Sequence, residues 1–271
     1  MKTILITGAS GFLGSRIAQF YKDKYHILAP THSEMEIVDE ESVRSYFQTY
    51  RPDAVVHCAA IADTGRCERE PEFSWQVNVT GTENVVKAAK EISAVCVCCS
   101  SDQVYCGIPA EGLNKETEEV NPTNAYGKQK LYAEESCLKI YDKSVHLRLA
   151  WMYDTADEKR MDFIKQLKQA QEKETVFSPK DFRGITNVWD VVKNIEPALG
   201  LPGGVYNFGS MNNKSTYHTV IRIFEEKGWN PEWIRKMEYA NPRNLTMDQE
   251  KLNEHGIHFP TTVEGVLCAF I

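Results

Sequence analysis

The sequence predicts an α/β fold, a doubly wound parallel sheet with a smaller C-terminal α/β lobe. Three observations predict it. Short apolar runs alternate with helical stretches through the first 150 residues, the order of a parallel sheet covered on both faces. The first apolar run passes straight into three glycines and then an amphipathic stretch. After about Ala150 the alternation gives way to helical stretches set among short strands, and Pro231, Pro242 and Pro260 punctuate the end.

Taken in order, Ile4–Ile6, Ile27–Ala29, Ala54–Cys58, Val95–Cys99 and Val145–Leu149 read as buried strands. Between them lie the helical stretches Gly11–Lys22, Glu41–Thr49, Val77–Lys90 and Ala125–Ile140. The second part carries helices over Met161–Lys173 and Tyr217–Lys227 and a strand over Gly204–Phe208. This places a sheet domain at 1–150 and a smaller lobe at 151–271, the two interleaved in sequence. In such sheets ligands sit beyond the carboxyl ends of the strands, so the residues just after each strand are the candidates for function.

Composition narrows the function. A net charge of -7 argues against nucleic acid and anionic membranes as partners. No stretch reaches the length of a membrane span, and the N-terminus lacks a signal-peptide apolar region, which points to the cytoplasm. Of eight cysteines, Cys96, Cys98 and Cys99 fall in the strand-like run Ala94–Cys99. Their positions are expected to face opposite sides and so not to gather round one metal. They read as buried small apolar residues in a reducing compartment, and no metal site is expected.

The chemistry starts at Thr3-Ile-Leu-Ile-Thr-Gly-Ala-Ser-Gly-Phe-Leu-Gly14. Strand, glycine turn and helix start form a pyrophosphate site. Glycines admit the phosphate to the backbone, and the N–H groups of a helix start attract its charge. A glycine triplet alone also makes an ordinary tight turn. The strand before and the helix after Gly8, Gly11 and Gly14 mark a Rossmann-type dinucleotide site. The second strand ends in Pro30, Thr31, His32 and Ser33, without the carboxylate that holds the ribose of NAD. With Arg16 close by, NADP(H) is expected over NAD(H), although the charge of Glu34 keeps NAD(H) open.

A second constellation supplies acid–base chemistry. The strand Val95–Cys99 runs into Ser100 and Ser101 at the ligand edge. Tyr126 and Lys130 lie four residues apart, on one helix face. A nearby ammonium lowers a phenol's pKa, so Tyr126 is expected to exchange a proton with a carbonyl or alcohol that Ser101 holds in place. Alone, a Tyr and a Lys at this spacing are most often solvated helix surface. The glycine turn and the strand-end serine, in the right order, change that balance.

On these motifs the chain resembles the extended short-chain dehydrogenases/reductases, and within them the dTDP-4-dehydrorhamnose reductases. The segments that carry the resemblance are the glycine turn, His57-Cys-Ala-Ala60, Val77-Asn78-Val79, Ser101-Asp-Gln-Val-Tyr105 and Tyr126-Gly-Lys-Gln-Lys130. In the second lobe they are Arg148-Leu-Ala-Trp151-Met-Tyr153, Asp181-Phe-Arg-Gly184-Ile-Thr186, Gly204-Val-Tyr206-Asn207, Arg243 and Met247-Asp248. The resemblance implies an NAD(P)H-dependent reduction of a 4-keto sugar nucleotide, with Ser101, Tyr126 and Lys130 catalytic. The cofactor would be held by Gly8, Ser10, Gly11, Phe12, Leu13, Gly14, Thr31, Ile37, Cys58, Ala59, Ala60 and Asn78, together with Tyr126 and Lys130. Asp102 and Trp151 are the weaker candidates for the sugar. The partner would be a small molecule, and a homodimer is admitted. The chain departs from the family at Ile185, where proline is usual, at Glu36-Ile37 and at Cys106.

Two other readings compete. Dehydratases of this fold carry an Asp-Glu pair after the hydroxyl residue, and here Asp102 is followed by Gln103, which takes no proton near neutral pH. A nucleotide-sugar epimerase has no single residue against it and yields only to the second lobe. A non-catalytic, dinucleotide-binding regulatory subunit, like the β subunit of methionine adenosyltransferase, could keep the same residues. Glu116, Glu118 and Glu119 read as an acidic loop facing water.

Overall fold

A computed structural model describes residues 1–107, 112–157, 161–237 and 242–270. The elements follow in order: β1 (Thr3–Thr7), α1 (Phe12–Tyr21), β2 (His26–Leu28), α2 (Glu40–Tyr50), β3 (Ala54–His57), α3 (Thr64–Arg69) and α4 (Pro71–Trp75). A π-helical turn at Gln76–Thr80 leads into α5 (Gly81–Glu91), then β4 (Val95–Ser101), a 3-10 turn at Asp102–Tyr105, α6 (Ala125–Ile140), β5 (Val145–Leu149) and β6 (Trp151–Tyr153). The remainder is α7 (Phe163–Gln169), β7 (Thr175–Phe177), β8 (Asp181–Arg183), β9 (Ile185–Asn187), α8 (Val188–Ala198), β10 (Gly204–Phe208), α9 (Thr216–Lys227), β11 (Ile234–Lys236), β12 (Arg243–Leu245), α10 (Glu250–Asn253) and α11 (Thr262–Cys268).

The chain divides into two compact units. The first comprises residues 1–104, 122–148 and 192–206, and the second 105–121, 149–191 and 207–271. The first is built on a six-stranded sheet of order β10-β5-β4-β3-β1-β2, with β1 parallel to β2 and β3, and β3 parallel to β4. Strand order reverses between β1 and β3, which makes the carboxyl ends of those strands the ligand edge. β3, Ala-Val-Val-His, is buried throughout, as its β-branched pair suits a strand covered on both faces. Leu5, Val55, Cys96 and Cys98 share one core with Val43 and Phe47 of α2 and Val85 and Ala89 of α5. On the other face Tyr21 of α1 donates its hydroxyl to the Val192 carbonyl at 2.9 Å.

The second unit has small two-stranded parallel pairs, β11-β7, β12-β8 and β6-β9, rather than one sheet. Its own core gathers Tyr153, Phe163, Leu167, Phe177, Ile223 and Phe224. The predicted helix over Met161–Lys173 is shorter, because Asp162 caps it by accepting from Lys165 N at 3.1 Å and it ends at Gln169. The predicted helix Val77–Lys90 is split by the π-helical turn. Among the described residues no helix is long and apolar enough to cross a membrane.

Candidate active site

β1 delivers the chain to Gly8, whose φ of +66° suits glycine, and Gly11 N closes the turn on Gly8 O at 2.9 Å. A side chain at Gly8 would come within 2.7 Å of the Ala59 backbone, and one at Gly14 would fall on the Gly8 carbonyl. Gly11 differs: a Cβ there meets only the Gly8 carbonyl, at 3.1 Å. Other helices of the sheet unit are capped by side chains, Asp39 on α2, Asp63 on α3 and Asn124 on α6. α1 begins at Gly11 with no side-chain cap, and a helix start attracts an anion. The turn therefore fits a dinucleotide pyrophosphate. Leu13 is buried beneath it, Ser10 is exposed, and Phe12 packs under the Arg16 guanidinium at 4.1 Å.

The loop after β3 is held from below. Thr7 Oγ1 accepts from Ala59 N at 3.2 Å and bonds His57 Nδ1 at 2.7 Å, and His57 Nε2 meets Thr82 Oγ1 at 3.0 Å. Burial, aided by the Lys130 charge, pushes the His57 imidazole down to about 3, so it stays neutral. Asn78, on the π-helical turn, accepts from Ile61 N at 2.8 Å and donates to Ile61 O at 3.0 Å and to Gln129 Oε1 at 2.8 Å. Its side chain is engaged in fixing the Cys58–Ile61 loop to α6. Ile37 is buried where Gly81 admits it: a Cβ on Gly81 would lie 2.9 Å from Ile37 Cδ1.

The loop after β2 is self-satisfied. Glu34 accepts from both Thr31 N and Thr31 Oγ1 at 2.8 Å, which holds its carboxyl below the usual range, and His32 pairs with Glu36 at 3.2 Å. Arg16 turns back to the Phe12 carbonyl at 2.6 Å. The hydroxyl and cation expected to reach a 2′-phosphate are thus occupied locally, and Glu34 stands beside them.

At the end of β4, Ser101, Tyr126 and Lys130 come together and are 8%, 7% and 4% exposed. Ser101 donates to Asp102 Oδ1 at 3.2 Å and accepts from Gln103 N at 3.2 Å. Lys130 donates to the Cys99 carbonyl at 2.9 Å, with its Nζ 5.8 Å from the Tyr126 ring centre. The expectation of a net lowering of the Tyr126 pKa is corrected. Burial dominates and pushes the phenol up, with the neighbouring Ser101 hydroxyl only partly opposing it. Burial likewise pushes the Lys130 ammonium down. Tyr126 therefore keeps its proton, the state a proton donor needs.

α6 is seated by residues the sequence reading passed over. Asn124 caps it by accepting from Gly127 N at 2.7 Å and donates to Gln103 Oε1 at 3.0 Å. A Cβ on Gly127 would fall on the Gln103 carbonyl, so glycine lets the helix press against the turn that carries Ser101. Glu134, one turn beyond Lys130, accepts from Ser100 Oγ and forms a buried ion pair with Arg148 at 2.7 Å. The expectation for the β4 cysteines also needs correction. Residues two apart on a strand share a face, and Cys96 and Cys98 lie 3.8 Å apart at sulfur in the core. Cys99 takes the other face, its Sγ 3.6 Å from that of Cys58.

The model of the RmlD substrate binding domain family matches residues 1–267. The dTDP-4-dehydrorhamnose reductase of Aggregatibacter actinomycetemcomitans is 30% identical over 83% of this chain and 79% of its own. This chain belongs to the RmlD substrate binding domain family. The spore coat polysaccharide biosynthesis protein SpsK of Bacillus subtilis is 28% identical over 95% of this chain and 93% of its own. The crystal structure of dTDP-4-dehydrorhamnose reductase from Bacillus anthracis in complex with NADP superposes with a TM-score of 0.87, covering 100% of this chain and 98% of that one at 24% identity.

The RmlD-family segments of the second unit are ordered by one another. Trp151 starts β6, with the Arg183 guanidinium 4.8 Å over its ring and Phe163 edge-on at 5.9 Å. Arg243 of β12 pairs with Asp181 of β8 at 2.7 Å. Tyr105 donates to Asn207 Oδ1 at 2.7 Å, which ties the end of its 3-10 turn to the Tyr206-Asn207 motif. Ile185 donates its N–H to Thr262 Oγ1 at 2.9 Å, a bond that the family's proline has no hydrogen to make. Glu116 does not simply face water, because it accepts from Asn207 N at 2.7 Å.

Proposed function

We propose that this chain is an NADPH-dependent reductase of a 4-keto sugar nucleotide of the dTDP-4-dehydrorhamnose type, converting the ketone to an alcohol. The observation that carries the reading is the buried grouping of Ser101, Tyr126 and Lys130 at the carboxyl end of β4, beside the glycine turn. When bound, reduced nicotinamide supplies the hydride to the carbonyl carbon. The substrate oxygen lies against Ser101 and Tyr126, and Ser101 orients it. Tyr126, held as a phenol by burial, gives its proton to that oxygen as negative charge develops there. The ammonium of Lys130 stabilises the phenolate left behind until a proton returns from water. Asp102 holds the Ser101 hydroxyl.

Family membership and the absence of an Asp-Glu pair at 102–103 favour reduction over dehydration. NADPH is preferred because no carboxylate lies on Pro30–Ser33, with Glu34 as the opposing charge. The enzyme works on a small molecule in the cytoplasm, and a homodimer would be read by sedimentation. A panel of sugar nucleotides, scored by loss of NADPH or NADH absorbance, tests the reading. A 4-keto-6-deoxy sugar nucleotide should be turned over with NADPH. A panel that leaves both cofactors unconsumed contradicts it.

A further inference from the structure

Two pairs of thiols sit at similar spacing on β4 and its neighbour, yet in opposite surroundings. Cys96 and Cys98 are 3.8 Å apart at sulfur and 0% and 2% exposed, sealed in the core. Cys58 and Cys99 are 3.6 Å apart and partly exposed, at the ligand edge. Parallel register pairs His57 with Cys98, which sets the next residues, Cys58 and Cys99, side by side on adjacent strands. Adjacent strands lie within the Cα spacing that a disulfide spans.

We propose that Cys58 and Cys99 form a redox-modification site: a peroxide joins them in a disulfide that disables the dinucleotide site. The consequence for binding rests on the dinucleotide reading of the glycine turn. Cys99 is the attacking thiol. The hydrogen bond from Cys58 and the charge of Lys130 hold it below the ordinary thiol range, while Cys58 is pushed up. The Cys99 thiolate attacks one peroxide oxygen, the O–O bond breaks, and the departing oxygen leaves as water, giving a sulfenic acid. Cys58 then attacks the Cys99 sulfur and displaces the sulfenic oxygen as a second water. The two thiols are oxidised by two electrons and the peroxide is reduced by two.

Closing the bond draws the sulfurs to about 2 Å and moves both strand ends. Neither end has slack. The backbone of Ala59, next to Cys58, already lies where a side chain on Gly8 would stand, within 2.7 Å. The Cys99 carbonyl is the acceptor that holds the Lys130 ammonium at 2.9 Å. A disulfide here therefore disturbs the floor of the pyrophosphate turn and the seat of Lys130 together.

The test treats the whole chain with diamide, whose N=N bond takes up the two thiol hydrogens, and maps unreduced peptides by mass spectrometry. NADPH affinity is measured by calorimetry before and after. The expected result is a peptide linking Cys58 to Cys99 and an NADPH Kd weakened by about tenfold or more, the loss of one good interaction. Dithiothreitol should restore the affinity, and saturating NADPH should slow the linkage. Cys99→Ser should form no such link, and its Kd should be unmoved by diamide. A dose that modifies the exposed Cys268 but leaves Cys58 and Cys99 unlinked overturns the proposal, as does a link that leaves the Kd unchanged. If the reduced protein binds no NADPH, the dinucleotide reading fails, and the linked peptide alone still decides the thiol pair.

Discussion

The two ends of the proposed dinucleotide site are built by different forces. At the glycine turn, shape is set by backbone meeting backbone: Gly8 against Ala59, and Gly14 against Gly8. No rearrangement of side chains relieves those contacts, so only glycine serves. At the loop after β2, shape is set by exposed side chains bonding one another, Glu34 to Thr31 and His32 to Glu36. Such contacts are individually weak and exchange readily with water or ligand. The difference teaches that the glycine turn is fixed rigidly by the backbone, whereas the loop after β2, on which the proposed choice between two dinucleotides would rest, can be retuned.

The largest expected effect breaks the rigid end. Gly8 and Gly14 are poor targets because their side chains would strike protein backbone. Gly11→Val puts its bulk where the pyrophosphate would lie. Calorimetry should find no dinucleotide binding, while circular dichroism and the melting temperature stay close to wild type. Unchanged affinity would remove the turn from the site. Next is Tyr126→Phe, at the corner that Gly127 presses against Gln103. It should lower kcat by a factor on the order of 10² or more, with dinucleotide Kd little changed. Near-normal turnover would take the proton donor's role away from Tyr126.

A third effect comes from acid. His57 and His146 are pushed by burial from 6.5 to about 3, so the unfolded chain takes up protons that the folded chain refuses. Stability is then full above about pH 6.5 and falls as the pH drops towards 3. At about pH 5 the loss approaches roughly 2 kcal/mol per histidine. Urea midpoints should fall between about pH 7 and pH 5, and a flat profile would mean the imidazoles are not held neutral. The smallest effect belongs to the soft end. Glu34→Gln removes the charge beside Thr31 and should raise the NADPH-over-NADH ratio of kcat/KM by a few-fold. A shift toward NADH would show that Glu34 is not set against the 2′-phosphate.

What was legible in the sequence follows the same division. The strands ending at Thr7, His57 and Ser101 were readable because buried β-branched runs admit few alternatives, and α6 was readable over its whole length. The Ser101, Tyr126 and Lys130 grouping followed from strand-end position and helix spacing. The sign of the Tyr126 shift was not readable, since it depends on how deeply α6 is seated. A signal for that seating was present in Gly127, a glycine inside a helix, which marks a close backbone approach. The engagement of Asn78 with Ile61 and Gln129 was hidden because it joins residues far apart in the chain. The second unit was read mainly through family motifs, because its strands are three residues long and carry no periodicity.

The most direct test of the central claim is the fate of a label. NADPH carrying deuterium at the transferable position of nicotinamide C4 is incubated with dTDP-4-dehydrorhamnose and the wild-type chain. Oxidised cofactor and one deuterium on carbon 4 of the sugar are expected, in equal amounts. Binding of NADPH with no transfer would point to a regulatory subunit, and an epimerised sugar with the label still on the cofactor would point to an epimerase. Either result would contradict the account.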